Sequence, residues 1–148
     1  MSSRNAELEA QQSSLRYEFE QLKLGRFIRY WYAKKEAPDF LYGTVCFQSI
    51  LPHPFAHCEI GYKQDRGCMG QGYATEAAHA AISHLFATTG LHRIEALAES
   101  QNRPSIRLLE RLGFQYEGIA RETVYLRNAW QDCSRYALIN PAKNQDFF

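Results

Sequence analysis

The segment Gly61–Ala78, GYKQDRGCMGQGYATEAA, sets Gly70 and Gly72 between a strand-like run and an alanine-rich one. Gly70 and Gly72 have no Cβ, so the backbone there can approach an anion closely. The N–H groups of Met69, Gly70, Gln71, Gly72, Tyr73 and Ala74 would face that anion at the positive end of a helix dipole. Arg66 could add a charge-assisted contact. A tight turn without a ligand is the alternative reading. Two known phosphate loops fail: the Walker pattern needs Gly-Lys-Ser/Thr, and the dinucleotide pattern needs a third glycine where Thr75 stands. A second polar group follows in QNRPSIRLLERLGF, residues 101–114, where Asn102 can cap a helix and Ser105 lies in its first turn. Glu59 and His57 share one strand face and could pass a proton through water if that face lines a cleft. For Glu59 a cross-strand ion pair is the alternative. The four cysteines, Cys46, Cys58, Cys68 and Cys133, form no CxxC pair or zinc-type cluster with histidine, so no metal is expected.

These residues need elements to hold them. Leu8, Leu15, Phe19 and Leu22 make a helical stripe that ends at Gly25. RFIRYWYA and FLYGTVCFQSI read as a hairpin joined through Pro38 and Asp39, and FAHCEIGYK as a third strand in which Ala56, Cys58, Ile60 and Tyr62 share a face. Ala74, Ala78, Ala81, Ile82 and Leu85 line a helix closed by Gly90, with HRIEALA as the next strand. That succession implies a parallel crossover. A second helix from Asn102 turns Ile106, Leu109 and Leu112 inward and stops at Gly113. FQYEGIARETVYL and WQDCSRYALI then close the chain as a hairpin around Arg127, Asn128 and Ala129. The predicted order is α-β-β-β-α-β-α-β-β, an α/β (α+β) mixed central sheet with at least one parallel pair.

With 148 residues, 45% hydrophobic and 22% charged, the chain has the composition of one globular domain, residues 1–148, with no linker or repeat. A net charge of +1 gives no broad basic field, so a nucleic-acid partner is not expected. No apolar run approaches a membrane span and the N-terminus lacks a secretion-signal core, so no membrane partner is expected and the location is read as cytoplasmic.

The two motifs together resemble the GNAT acyl-CoA N-acyltransferase superfamily: GQGYATEA in its first core motif, N-x-x-S followed by LLERLGF in its second. HRIEA, NRPS, LGFQYEG and LRNAWQDCSRYAL look more narrowly like the ribosomal-protein alanine/serine N-acetyltransferase branch, over about Ser14 to Ile139. The resemblance implies a GNAT fold in which the turn from Cys68 to Ala74 binds the pyrophosphate of acetyl-CoA. The pantetheine arm would lie between splayed parallel strands at Ile60 and Ala96, with Asn102 on its pantetheine side and Ser105 near the thioester sulfur. It implies transfer of an acetyl group to an amine, a protein or peptide N-terminus first, with a small-molecule amine or a noncatalytic acyl-CoA-binding domain as alternatives. Leu109 stands where many members carry a tyrosine that protonates the leaving thiolate, which passes that role to Ser105, to water or to no group. Relatives have a strand and a helix ahead of the segment that opens this sequence, so the domain is expected to be N-terminally shortened. The exposed sheet edge this would leave makes a homodimer an expectation too.

Overall fold

The computed structural model describes the backbone of residues 3–65, 67 and 69–142, and their side chains except at 3–8, 10 and 11. Nine elements follow in the order the sequence predicts: α1 (Ser3–Lys23), β1 (Ile28–Lys34), β2 (Ala37–Leu51), β3 (His57–Gln64), α2 (Tyr73–Thr88), β4 (Arg93–Glu99), α3 (Arg103–Arg111), β5 (Gln115–Leu126) and β6 (Ala129–Ile139). The strands make one sheet in the order β1-β2-β3-β4-β6-β5.

Every neighbouring pair is antiparallel except β3 and β4, whose crossover is α2. That parallel pair is short: His57 faces Arg93, Cys58 faces Ile94 and Glu59 faces Glu95. Beyond it β3 runs on to Gln64 along β2, while β4 runs on to Glu99 along β6. The strands therefore splay after Glu59 and Glu95, and backbone groups on their facing edges lose the partner a ladder would supply.

One face of the sheet is apolar and is covered by helices. Val45, Phe47, Cys58, Ile60, Ile94, Ala96 and Tyr136 pack with Ala78, Ala81, Ile82 and Leu85 of α2 and with Leu108, Leu109 and Leu112 of α3. Phe47, Leu85, Ile94 and Leu109 are fully shielded from solvent. Leu109 thus belongs to the core, where its truncation would leave a cavity.

Local signals explain the helix ends. Gly25, at φ 70°, ends α1 with Gly25 N–H bonded to Leu22 O at 3.0 Å and Arg26 N–H to Gln21 O at 2.9 Å, the Schellman pattern. The predicted apolar stripe of α1 is not covered by the described chain, since Leu15, Phe19 and Leu22 stay exposed; the Leu8 side chain lies outside the described residues. Two details differ from expectation. The first hairpin turns at Lys35 and Glu36, with Pro38 and Asp39 inside β2, because Lys34 already pairs with Ala37. Helix α2 ends on Thr89 instead of Gly90, since Thr89 donates both its backbone N–H (3.0 Å) and its hydroxyl (2.7 Å) to Leu85 O. Among the described residues no helix is long and apolar enough to cross a membrane.

Candidate functional site

The splay opens into a cavity of about 460 Å³ between β3, the glycine turn and α3. Met69, Gly70, Gly72, Ala74 and Thr75 line one end, and Tyr62, Gln64, Asn102, Ser105, Arg107 and Arg111 line the rest. Gly70 and Gly72 both take φ 79°, a left-handed backbone that suits glycine, and a Cβ built on either meets nothing within 4 Å. Both residues thus face open space rather than packed chain. Gly72 is also the N-cap of α2, and among the described residues no side chain caps that helix end. The first-turn N–H groups of α2 are left for an acceptor outside the helix.

The other end of the cavity is held by Asn102. Its Oδ1 accepts from Ser105 N–H at 3.3 Å, which caps α3, and Pro104 suits the first turn. The Ser105 hydroxyl meets the Tyr62 hydroxyl across the cavity floor, and Tyr62 Oη also lies 3.5 Å from the Ser105 carbonyl oxygen. Burial pushes the Tyr62 phenol up and the hydrogen bond to Ser105 pulls it partly back, so it stays a donor at neutral pH.

The opposite face of the same strands is charged. Glu95 lies 3.1 Å from Arg93, 3.6 Å from His57 Nδ1 and 3.7 Å from Arg135. Arg93 also holds Glu117 through both terminal guanidinium nitrogens and keeps that carboxyl below its ordinary range. Glu59 is half-buried on this face, next to Glu95 across the strand pair. On the helix-covered face, burial pushes the Cys58 thiol up to about 12, with Glu59 and Glu95 adding to the shift, so this cysteine is an inert core residue.

Comparison with known proteins places this arrangement. The family model for the acetyltransferase (GNAT) domain matches residues 3–115. The chain belongs to the GNAT acetyltransferase family. It is 38% identical over 107 residues to the probable N-acetyltransferase YjcK of Bacillus subtilis, covering 72% of this chain and 59% of that protein. It is 34% identical over 99 residues to the [ribosomal protein uS5]-alanine N-acetyltransferase of Escherichia coli, covering 67% of this chain and 51% of that one. The structure of Mycobacterium smegmatis RimJ in complex with CoA-disulfide superposes with a TM-score of 0.79 at 25% identity, over 88% of this chain and 61% of that chain. The chain thus spans between half and two-thirds of the length of these relatives.

Within the GNAT fold the residues singled out in the sequence divide into groups. Met69, Gly70, Gly72, Ala74, Asn102 and Ser105 converge on the one cavity. Gln71 is exposed beside it, and Tyr73 turns away to stack on Tyr42, with ring centroids 5.1 Å apart. Arg66 and Cys68 lie outside the described residues. Glu59 is not brought to Ser105: it sits on the other sheet face, at the last paired position before the strands part. Sequence reasoning gave no site role to Tyr62, Gln64 and Arg111. A usable signal was present, since Ile60, Tyr62 and Gln64 repeat every second residue on the face that carries Cys58, and Arg111 stands one helical step beyond Arg107.

Proposed function

We propose that this chain transfers an acetyl group from acetyl-CoA to an amine, most directly the N-terminal α-amino group of a protein or peptide. The observation that carries this reading is the convergence, in one cavity at the strand splay, of an uncapped glycine helix start with the Tyr62–Ser105 hydroxyl pair. The residues present fit acetyl-CoA on three counts. The α2 N-terminus and its glycines suit a pyrophosphate. Arg107 and Arg111 supply cationic donors beside it. The unpaired edges of β3 and β4 suit the amides of a pantetheine arm laid between them.

The chemistry then follows from position. The amine nitrogen attacks the thioester carbon, the C–S bond breaks, and the amine's extra proton leaves to water, which can pass it to Glu59 on the opposite face where the strands part. Backbone N–H groups on β3 past Glu59 polarise the carbonyl. Tyr62 donates to Ser105 Oγ, which frees the Ser105 proton to hydrogen-bond the departing thiolate. Holding the reactants together does most of the work. An α-amino group with pKa near 7.7 costs about 1 kcal/mol to deprotonate at pH 7, and a lysine near 10.4 costs about 4.6 kcal/mol. A site with so little base machinery therefore favours an N-terminal acceptor, in keeping with the ribosomal-protein acetyltransferase among its relatives. The three described cysteines are free, which suits a reducing, cytoplasmic compartment.

The test is acetyl transfer measured by mass spectrometry, with acetyl-CoA and peptides whose N-terminus is either free or blocked and which carry an internal lysine. Acetylation of the free N-terminus alone is expected, and Ser105→Ala should slow it by about a hundredfold. Transfer only to small amines would replace the acceptor, and binding of acetyl-CoA without any transfer would leave a noncatalytic acyl-CoA-binding domain.

A further inference from the structure

One polar group in the cavity has no role in the chemistry above. Gln64 lines the same cavity as Tyr62, Ser105 and Gly72, yet its side-chain Nε2 is shielded from solvent and has no hydrogen-bond partner among the described residues. Buried amide donors are nearly always paired, because an unpaired one forfeits its hydration without a return. The other such atom among the described residues is Arg29 Nε, but the Arg29 guanidinium is already engaged by Glu18 at 2.8 Å. Gln64 carries no comparable anchor.

Its place along β3 says what would satisfy it. Ile60, Tyr62 and Gln64 share a strand face. Ile60 is in the core and Tyr62 meets Ser105, so Gln64 comes next along the face, about 6–7 Å further on, beyond the last β3–β4 pair. It lies between the Ser105 end of the cavity and the glycine turn. A thioester at Ser105 and a pyrophosphate at Gly72 would lay the pantetheine arm past this residue, and that arm carries two amide groups. A neutral carboxamide donor matches a neutral carbonyl, whereas the phosphates have Arg107, Arg111 and the helix start. The terminal torsion of a glutamine is soft, so a turn of the amide brings Nε2 to the cavity without moving the strand.

We infer that Gln64 is a ligand-binding residue whose side-chain N–H donates to an amide carbonyl of the pantetheine arm of acyl-CoA. The inference rests on the acetyl-CoA reading, and its test separates the two. Calorimetric titration of wild type, Gln64→Leu and Gln64→Glu with CoA and with adenosine 3′,5′-bisphosphate, which lacks the arm, is paired with thermal unfolding of the ligand-free proteins. Gln64→Leu removes the unpaired donor, so its ligand-free melting temperature should hold or rise while its affinity for CoA falls about tenfold; its affinity for the bisphosphate should stay within about twofold. Gln64→Glu, with an acceptor in place of the donor, should bind CoA more weakly still. A purely structural glutamine would lower the melting temperature and disturb both ligands alike, and that result overturns the inference, as does undiminished CoA affinity in Gln64→Leu. Wild type that binds CoA no better than the bisphosphate would overturn the acetyl-CoA reading and this inference with it.

Discussion

The two faces of strands β3 and β4 are made from alternate residues of the same short segments, and they treat polar groups in opposite ways. On the outer face Arg93, Glu95, Glu117, His57 and Arg135 satisfy one another. On the helix-covered face, among the described residues, Gln64 Nε2 has no partner, no side chain caps α2, and Gly70 and Gly72 look into open space. Charges paired near the surface stabilise little and do so in a salt-dependent way. Donors left without partners beside a cavity are a standing cost that a bound acceptor repays. The contrast teaches which face is built to hold itself and which is built to hold something else.

The sharpest way to break this contrast is at Gly72. Replacing it with glutamate puts a Cβ-bearing residue at φ 79° and a negative charge at the uncapped helix start. Affinity for acetyl-CoA should fall by at least about 100-fold in calorimetric titration, while the fold, read by circular dichroism, persists; unchanged affinity would move the anion site elsewhere. A middle-sized effect is expected at Asn102, which joins structure to site. Asn102→Ala deletes the acceptor of the Ser105 N–H and should cost about 1 kcal/mol of stability, a drop of roughly 2–4 °C in melting temperature for a chain of this size. It should also weaken acetyl-CoA binding by loosening Ser105. A stability loss with no binding loss would make it a cap alone.

The smallest effect belongs to the outer face. Arg93 holds the Glu117 carboxyl below its ordinary value, so the pair adds stability above the unfolded-state pKa, and that stability is lost as pH falls through the lower folded-state value. Glu117 is well exposed, so the gain is slight. Melting curves of wild type and Glu117→Gln at pH 7 should differ by no more than a few degrees, converge as the solution is acidified through the carboxylate range, and converge again in high salt. Glu117→Gln should leave acetyl-CoA binding unchanged when both proteins are measured at pH 7 and the same salt concentration. A binding defect there would erase the distinction between the faces.

Much of this was legible in the sequence, for local reasons. Alternation in Cys58, Ile60 and Tyr62, the helical spacing of Ala78, Ala81, Ile82 and Leu85, and the Gly25 and Asn102 ends depend on residues within a few positions of one another, and each formed as read. The glycine turn and Asn102-x-x-Ser105 were recognisable as motifs, and both line the cavity. At Pro38 and Gly90 a pairing register or a threonine cap overrides the residue that usually breaks an element.

What no spacing rule could supply was the meeting of distant segments. The chain by itself determined which elements form, in what order, and that a glycine-flanked helix start and a capped α3 would exist, because hydrophobic period and capping chemistry are written locally. Only the tertiary structure decided that β3 and β4 part after Glu59 and Glu95 and that Tyr62 reaches Ser105. It also decided that Gln64 Nε2 is shielded without a partner among the described residues and that Glu59 lies on the far side of the sheet from Ser105. Those facts depend on where two strands stop pairing and on how α3 packs over the gap, which is set by the balance of the whole core and not by any one stretch of residues.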